Sequence, residues 1–167
     1  QLVRHRGRTF HLIDGALPKD GALLEYGCGI APVAWWLRQR RVDFRPMLVD
    51  VPSEALEFAR YRIGRWRPYI ANPGKPRILD PSQGNEFPPV SVAVVYEVME
   101  HLQDPFRAMV DILNCLVPGG YLFEDFRHHE GDGSPTDLES AAEARPKVYE
   151  LICSECDLLD GKLWDAP

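Results

Sequence analysis

The folding options of this chain narrow most at Leu23-Leu24-Glu25-Tyr26-Gly27-Cys28-Gly29-Ile30-Ala31-Pro32. Ala22-Leu23-Leu24 is an apolar run too short for a helix and long enough for a buried strand. Two glycines one residue apart follow, and Val33-Ala34-Trp35-Trp36-Leu37 then resumes with helix-compatible spacing. Strand, tight glycine turn and helix together form the first unit of a nucleotide-binding α/β domain. Glycine suits the turn because the chain reverses sharply there and a Cβ would hold a ligand away from the backbone. Amides at the start of the following helix can meet a phosphate or, equally, a carboxylate.

Two acids narrow the choice of ligand. Glu25 stands just ahead of the first glycine, where a carboxylate can hydrogen-bond an ammonium group but repels a pyrophosphate. Met47-Leu48-Val49-Asp50, within residues 44–51, reads as a second buried strand ending in a carboxylate. Asp50 lies about 20 residues beyond the glycines, where an α/β nucleotide site places an acid on the ribose. The two oxygens of one carboxylate can accept from both vicinal hydroxyls. Such a ribose belongs to NAD and to S-adenosylmethionine (SAM) alike, so Asp50 does not separate them.

The remaining elements follow in strand–helix alternation. Residues 1–15 are expected to form a helix that packs against the sheet edge or covers the site, and Pro18-Lys19-Asp20-Gly21 a turn. The first strand is expected over 22–26 and the first core helix over 32–41, with Pro32 tolerated in its first turn. Ser53 is placed as an N-cap with Glu57 in the early helix. Arg77-Ile78-Leu79-Asp80 reads as a short third strand, and the β-branched run 90–96 as a buried central parallel strand. Asp104 and Pro105 are expected at the N-cap and first position of a helix reaching Cys115. Leu116-Val117-Pro118-Gly119-Gly120 then stops that helix and turns into a fifth strand from Tyr121. A last helix over 137–158 and a short strand around Lys162–Trp164 complete the chain.

Acid-x-Gly-x-Gly after a strand resembles motif I of the class I SAM-dependent methyltransferases, with Ala31 where that family often has a third glycine. Two further landmarks fall in the family's order: Val98-Met99-Glu100-His101-Leu102-Gln103-Asp104-Pro105 after the fourth strand, and Leu116-Val117-Pro118-Gly119-Gly120 before the fifth. The resemblance implies a three-layer αβα, Rossmann-like, mostly parallel sheet, cut short at its last strand. It also implies SAM lying across the carboxyl ends of strands 1, 2 and 4. Glu25, Gly27 and Gly29 would hold the methionine end, Asp50 the ribose, and Asp80 with Pro81 the adenine, and Cys28 and Val51 would also touch the cofactor. Tyr96 and Glu97 would face the crevice from the fourth strand. His101 is expected to hold the loop's shape rather than to react.

Methyl transfer asks for placement more than for a catalyst, since the sulfonium is already a strong methyl donor. A base is needed only where the acceptor's proton must leave. His128 and His129, in the polar loop after the fifth strand, are the candidates. The segment Tyr96-Glu97-Val98-Met99 lacks the Asn/Asp-Pro-Pro-aromatic motif used on DNA adenine or protein glutamine. The expected acceptor is therefore a small molecule or natural product, methylated on oxygen or carbon in preference to nitrogen. The alternatives are an RNA methyltransferase, a SAM-binding domain without turnover, and, more distantly, a nicotinamide-dependent dehydrogenase.

Composition is consistent with that reading. At 167 residues one domain is expected, 1–20 as an N-terminal helical cap and 21–167 as the core. No apolar run nears the roughly 20 residues of a membrane span, and no signal peptide is apparent, so a cytoplasmic location without a membrane partner is expected. The net charge of −6 argues against a dedicated nucleic-acid binder. Its distribution is uneven: residues 1–77 hold 14 of the 19 Lys+Arg and 7 of the 25 Asp+Glu, leaving 5 against 18 beyond. Arg60-Tyr61-Arg62-Ile63-Gly64-Arg65-Trp66-Arg67 reads as a solvated helix end with arginines over apolar neighbours, in preference to a polyanion surface. Cys153-x-x-Cys156 has no second Cys pair and reads as free thiols on a helix, so no metal is expected.

Overall fold

The computed structural model describes residues 2–65, 77–79, 87–126 and 137–161. Among the described residues five strands make one sheet: β1 (Gly21–Tyr26), β2 (Phe44–Val49), β3 (Arg77–Leu79), β4 (Val90–Val95) and β5 (Leu116–Glu124). Their order is β3-β2-β1-β4-β5 and every pairing is parallel. The order reverses between β1 and β4, and ligands of open parallel sheets bind at such a reversal, outside the carboxyl ends of the strands. β1 sits at the centre, with Glu25 in register with Leu48 on one side and Val94 on the other.

Because side chains alternate along a strand, the sheet buries two apolar faces. Leu23, Leu48, Val92 and Val94 face α1 (Leu2–Ala16), α2 (Pro32–Arg38) and α3 (Glu54–Arg65), whose Ile13, Leu37, Leu56, Ala59 and Ile63 complete that half of the core. Leu24, Tyr26, Met47, Ala93 and Val95 face α4 (Pro105–Cys115) and α5 (Glu139–Glu155) through Met109, Ile112, Val148 and Ile152. This is the three-layer αβα architecture expected of the chain.

Local signals account for most boundaries. Pro32 opens α2; Ser53 Oγ accepts from Leu56 N at 3.2 Å ahead of α3; Asp104 Oδ1 accepts from Arg107 N at 2.9 Å at the start of α4. Three elements differ from expectation at their boundaries. α2 stops at Arg38 rather than 41, where the Arg41 guanidinium is drawn away to Leu17 O at 2.6 Å and Asp43 at 2.8 Å. α5 runs from Glu139 to Glu155, two residues inside the expected start and three inside the expected end. The turn at Pro118-Gly119-Gly120 lies inside β5 as an irregularity: Val90 pairs with Leu116, but Val92 already pairs with Tyr121. Gly119 takes a left-handed φ of 76° there. The strand expected at Lys162–Trp164 lies outside the described residues. No described helix is long and apolar enough to cross a membrane.

Candidate cofactor site at the carboxyl edge of the sheet

The loop between β1 and α2 is built from alternating left-handed residues: Gly27 at φ 64°, Gly29 at 50° and Ala31 at 53°. The two glycines are required for different reasons. A Cβ on Gly27 would fall 2.1 Å from a methyl of Val98, whereas one on Gly29 would meet nothing within 4 Å. Gly27 therefore leaves room for the protein's own β4 turn, and the space in front of Gly29 is open.

Glu25 is 3% exposed. Its Oε1 accepts from Val33 N at 3.0 Å and its Oε2 from Ala34 N at 2.8 Å. Ala31, the N-cap of α2, supplies no side-chain acceptor, so the strand's carboxylate satisfies amides the helix leaves open. Burial pushes the Glu25 carboxyl up to about 7, against the two amide hydrogen bonds and the Arg62 charge, which favour ionisation. Arg62 of α3 donates to Ile30 O and, at 2.9 Å, to Ala31 O, and its guanidinium lies 4.8 Å from the Trp35 ring. Arg60 pairs with Glu57 at 3.2 Å. These two arginines of the expected basic segment are thus engaged within the fold, while Trp66 and Arg67 lie outside the described residues.

Asp50 follows β2 and reaches the same loop. Its Oδ2 accepts from Gly29 N at 2.6 Å and its Oδ1 from Val51 N at 2.8 Å. Cys28 N donates to Val49 O at 3.0 Å, which fixes the glycine turn to the end of β2. Burial pushes the Cys28 thiol well above its ordinary range, so it serves as an apolar loop residue. Val51 is exposed.

A cleft of about 1980 Å³ runs along β5, the edge strand among the described residues, beside Val110 and Asn114 of α4 and the end of α5, and reaches this carboxyl edge. At this end it is lined by Glu25, Tyr26, Gly27 and Cys28 from β1 and its loop, Tyr96 and Glu97 after β4, and Glu124 and Asp125 at the end of β5. Residues of α1 from Arg8 to Leu12 wall it, so the N-terminal helix does border the site, and Arg8 reaches Asp160 at 3.2 Å across it. Burial raises the Tyr96 hydroxyl far above its usual range, leaving a neutral hydroxyl. Gly29, Asp50 and Val51 are not part of the cleft lining; the turn joins them to it through Cys28, whose N–H donates to Val49 O. His101 Nδ1 lies 3.6 Å from Asp137 Oδ1, at the junction of the 3-10 turn Met99–His101 with the segment before α5. Asp80, Pro81, His128 and His129 lie outside the described residues.

Sequence reasoning did not find Asp125, Val98 or Arg62. Each acts on a partner 28 to 71 residues away in the chain, and only the landmark around Val98 carried any local signal. Cys153 and Cys156 are free thiols near the end of α5.

Comparison with known proteins bears on this geometry. Residues 24–122 match a family described as a methyltransferase domain. No curated protein matches the sequence. Among solved structures, a SAM-dependent methyltransferase from Methanosarcina mazei aligns at 21% identity and TM-score 0.53, covering 68% of this chain and 55% of its own. The N-methyltransferase NodS from Bradyrhizobium japonicum, in complex with S-adenosyl-L-homocysteine (SAH), aligns at 22% and 0.56, covering 71% and 59%. SpnF, described as a [4+2]-cyclase, aligns at 20% and 0.62, covering 84% and 55%. The chain thus spans between half and three-fifths of the length of these proteins. Its matched span, running from β1 into β5 and holding both the glycine turn and the acid after β2, makes the chain a member of the class I SAM-dependent methyltransferase family.

Proposed function

We propose that the chain is one SAM-binding domain that transfers a methyl group to a small-molecule acceptor in the cytoplasm, on oxygen or carbon. The observation carrying this reading is the 2.6 Å hydrogen bond from Gly29 N to Asp50 Oδ2. It brings the glycine turn and the acid after β2 to one point at the carboxyl edge of the sheet. The residues there fit the cofactor chemically. Open space faces Gly29, each Asp50 oxygen accepts one backbone amide and keeps a lone pair that a ribose hydroxyl could use, and Glu25 puts a carboxyl where a cationic amino-acid tail would lie.

When bound, SAM supplies an electrophilic methyl on a sulfonium. The chain's own part is to hold that group in line with an acceptor and to exclude water, which accounts for much of such a barrier. Gly27, Cys28 and Gly29 border the methionine end, Asp50 and Val51 the ribose, and Tyr96 and Glu97 the crevice wall. Asp80 and Pro81 are assigned to the adenine and His128 or His129 to proton removal. The preference for oxygen or carbon rests on the sequence Tyr96-Glu97-Val98-Met99 after β4. A second reading, a SAM-binding domain without turnover, draws support from Glu25, which is 3% exposed with both oxygens accepting helix amides, whereas Asp50 is only half-buried.

Titration calorimetry with SAM, SAH and NAD tests the cofactor. SAM and SAH bind and NAD does not, and Asp50→Ala weakens SAM by about tenfold or more, since hydrogen bonds to charged groups are worth about 1.5–3 kcal/mol. Unchanged SAM affinity in Asp50→Ala rejects the assignment. Formation of SAH with a panel of hydroxylated acceptors then separates turnover from binding alone.

A further inference from the structure

We propose that Asp125 is a positioning residue, whose carboxylate locks the turn after β4 against the glycine turn after β1 and so sets the shape of the cofactor end of the cleft. The inference rests on the SAM reading above and adds to it a residue outside its assigned contacts.

The regular ladder between β4 and β5 ends at Val95 and Glu124. Asp125 carries the pairing one step further in two ways. Its own N–H donates to Val95 O at 3.3 Å, and its Oδ1 accepts from Glu97 N at 2.7 Å. The side chain thereby stands in for a strand carbonyl and lets the partner chain leave the sheet. Glu97 leaves it through a left-handed φ of 56°, a conformation that costs a residue with a Cβ roughly 1–2 kcal/mol. A charge-assisted hydrogen bond to the same residue's N–H is of the right size to hold it there.

That turn delivers Val98 onto the bare face of Gly27, where its Cγ2 lies 2.1 Å from the position a Cβ would take. Asp125, Glu97, Val98 and Gly27 thus form one mechanical chain from the end of β5 to the glycine turn. Asp125, Glu97 and Gly27 all line the same cleft. The residue after Asp125 is itself held firmly. Glu124 Oε2 accepts from Phe126 N at 2.9 Å, Tyr149 OH donates to Phe126 O at 3.1 Å, and the Phe126 side chain is 2% exposed. A carboxylate on so fixed a backbone can fix another.

Calorimetric titration with SAH, alongside thermal melting, tests this. Asp125→Ala should weaken SAH by about tenfold, the range of one charge-assisted hydrogen bond. Asp125→Asn, whose amide oxygen still accepts the Glu97 N–H, should stay within about threefold of wild type. In the Asp125→Ala background, Glu97→Gly should bind SAH more tightly than Glu97→Ala, because both lose the side chain and only glycine takes the left-handed turn without strain. Equal losses in the Asn and Ala variants, or no difference between Gly and Ala at 97, overturn the proposal. If Asp125→Ala does not fold, Asp125→Asn decides alone, and a tenfold loss there rejects it. A wild-type chain that binds no SAH defeats the SAM reading as well, whereas wild-type binding with an unaffected Asp125→Ala defeats this inference only.

Discussion

Glu25 carries two demands on one carboxyl. The amides of Val33 and Ala34 favour its charged form, while burial disfavours it and wins, raising the group from 4.5 to about 7. An acid whose folded value is raised contributes stability that is full below the unfolded value and is lost as pH rises through the folded one. For Glu25 the window therefore runs from pH 4.5 to about 7, and the loss across it is on the order of 3 kcal/mol. Urea unfolding measured across that window should show the slope, and Glu25→Gln, which cannot ionise, should flatten it. An ammonium brought beside Glu25 would favour its charged form, so SAM binding near pH 7 should release part of a proton. Calorimetry in buffers of different ionisation enthalpy reads that release.

Among elements, the two turns at the sheet edge depend on each other. Gly27 and Gly29 look alike in a Gly-x-Gly motif, yet the structure separates them by what a Cβ would meet. Gly27→Ala combines a left-handed alanine with a collision against Val98, about 1–2 kcal/mol for the first and about 1–3 for the second. Gly29→Ala meets open space and should incur only the first cost. Chemical denaturation of the two variants without cofactor should rank them in that order; equal destabilisation contradicts the interlock. A loss of SAM affinity in Gly29→Ala that exceeds its loss of stability would mark Gly29 as the glycine facing the ligand. The helices show the same division between local and distant causes. Ser53 and Asp104 cap their own helices within three residues, whereas α2 takes its acceptor from a strand residue eight and nine positions earlier.

At the scale of the whole molecule, the site belongs to no single element. β1 supplies Glu25, the segment after β2 supplies Asp50, and the ends of β4 and β5 supply Glu97 and Asp125, all at one edge because every strand of the sheet runs the same way. A ligand that bridges these ends stabilises the folded state by mass action, about 2.7 kcal/mol at a hundredfold excess over Kd. For a chain of this size that is a rise in Tm of about 5–10 °C. SAM should produce it, and an Asp50→Ala variant weakened tenfold should lose about half of it at the same SAM concentration. The basic first half of the chain has a structural account as well. Arg38 donates to Val42 O at 3.1 Å, Arg41 ties the α1–β1 connection to Asp43, and Arg62 holds the carbonyls of Ile30 and Ala31.

Much of this was written locally. Apolar runs, glycine spacing, caps and prolines act over a few residues, so the sequence by itself determined the strand–helix alternation, the glycine turn, the acid at Asp50 and the family. Tertiary structure alone decided which amides Glu25 satisfies, why Gly27 has no side chain, and that Asp125 braces a turn 28 residues earlier in the chain. Those outcomes depend on which strand ends become neighbours. Neighbours in a parallel sheet are joined by long crossovers, which leave no short-range trace of the contacts they create.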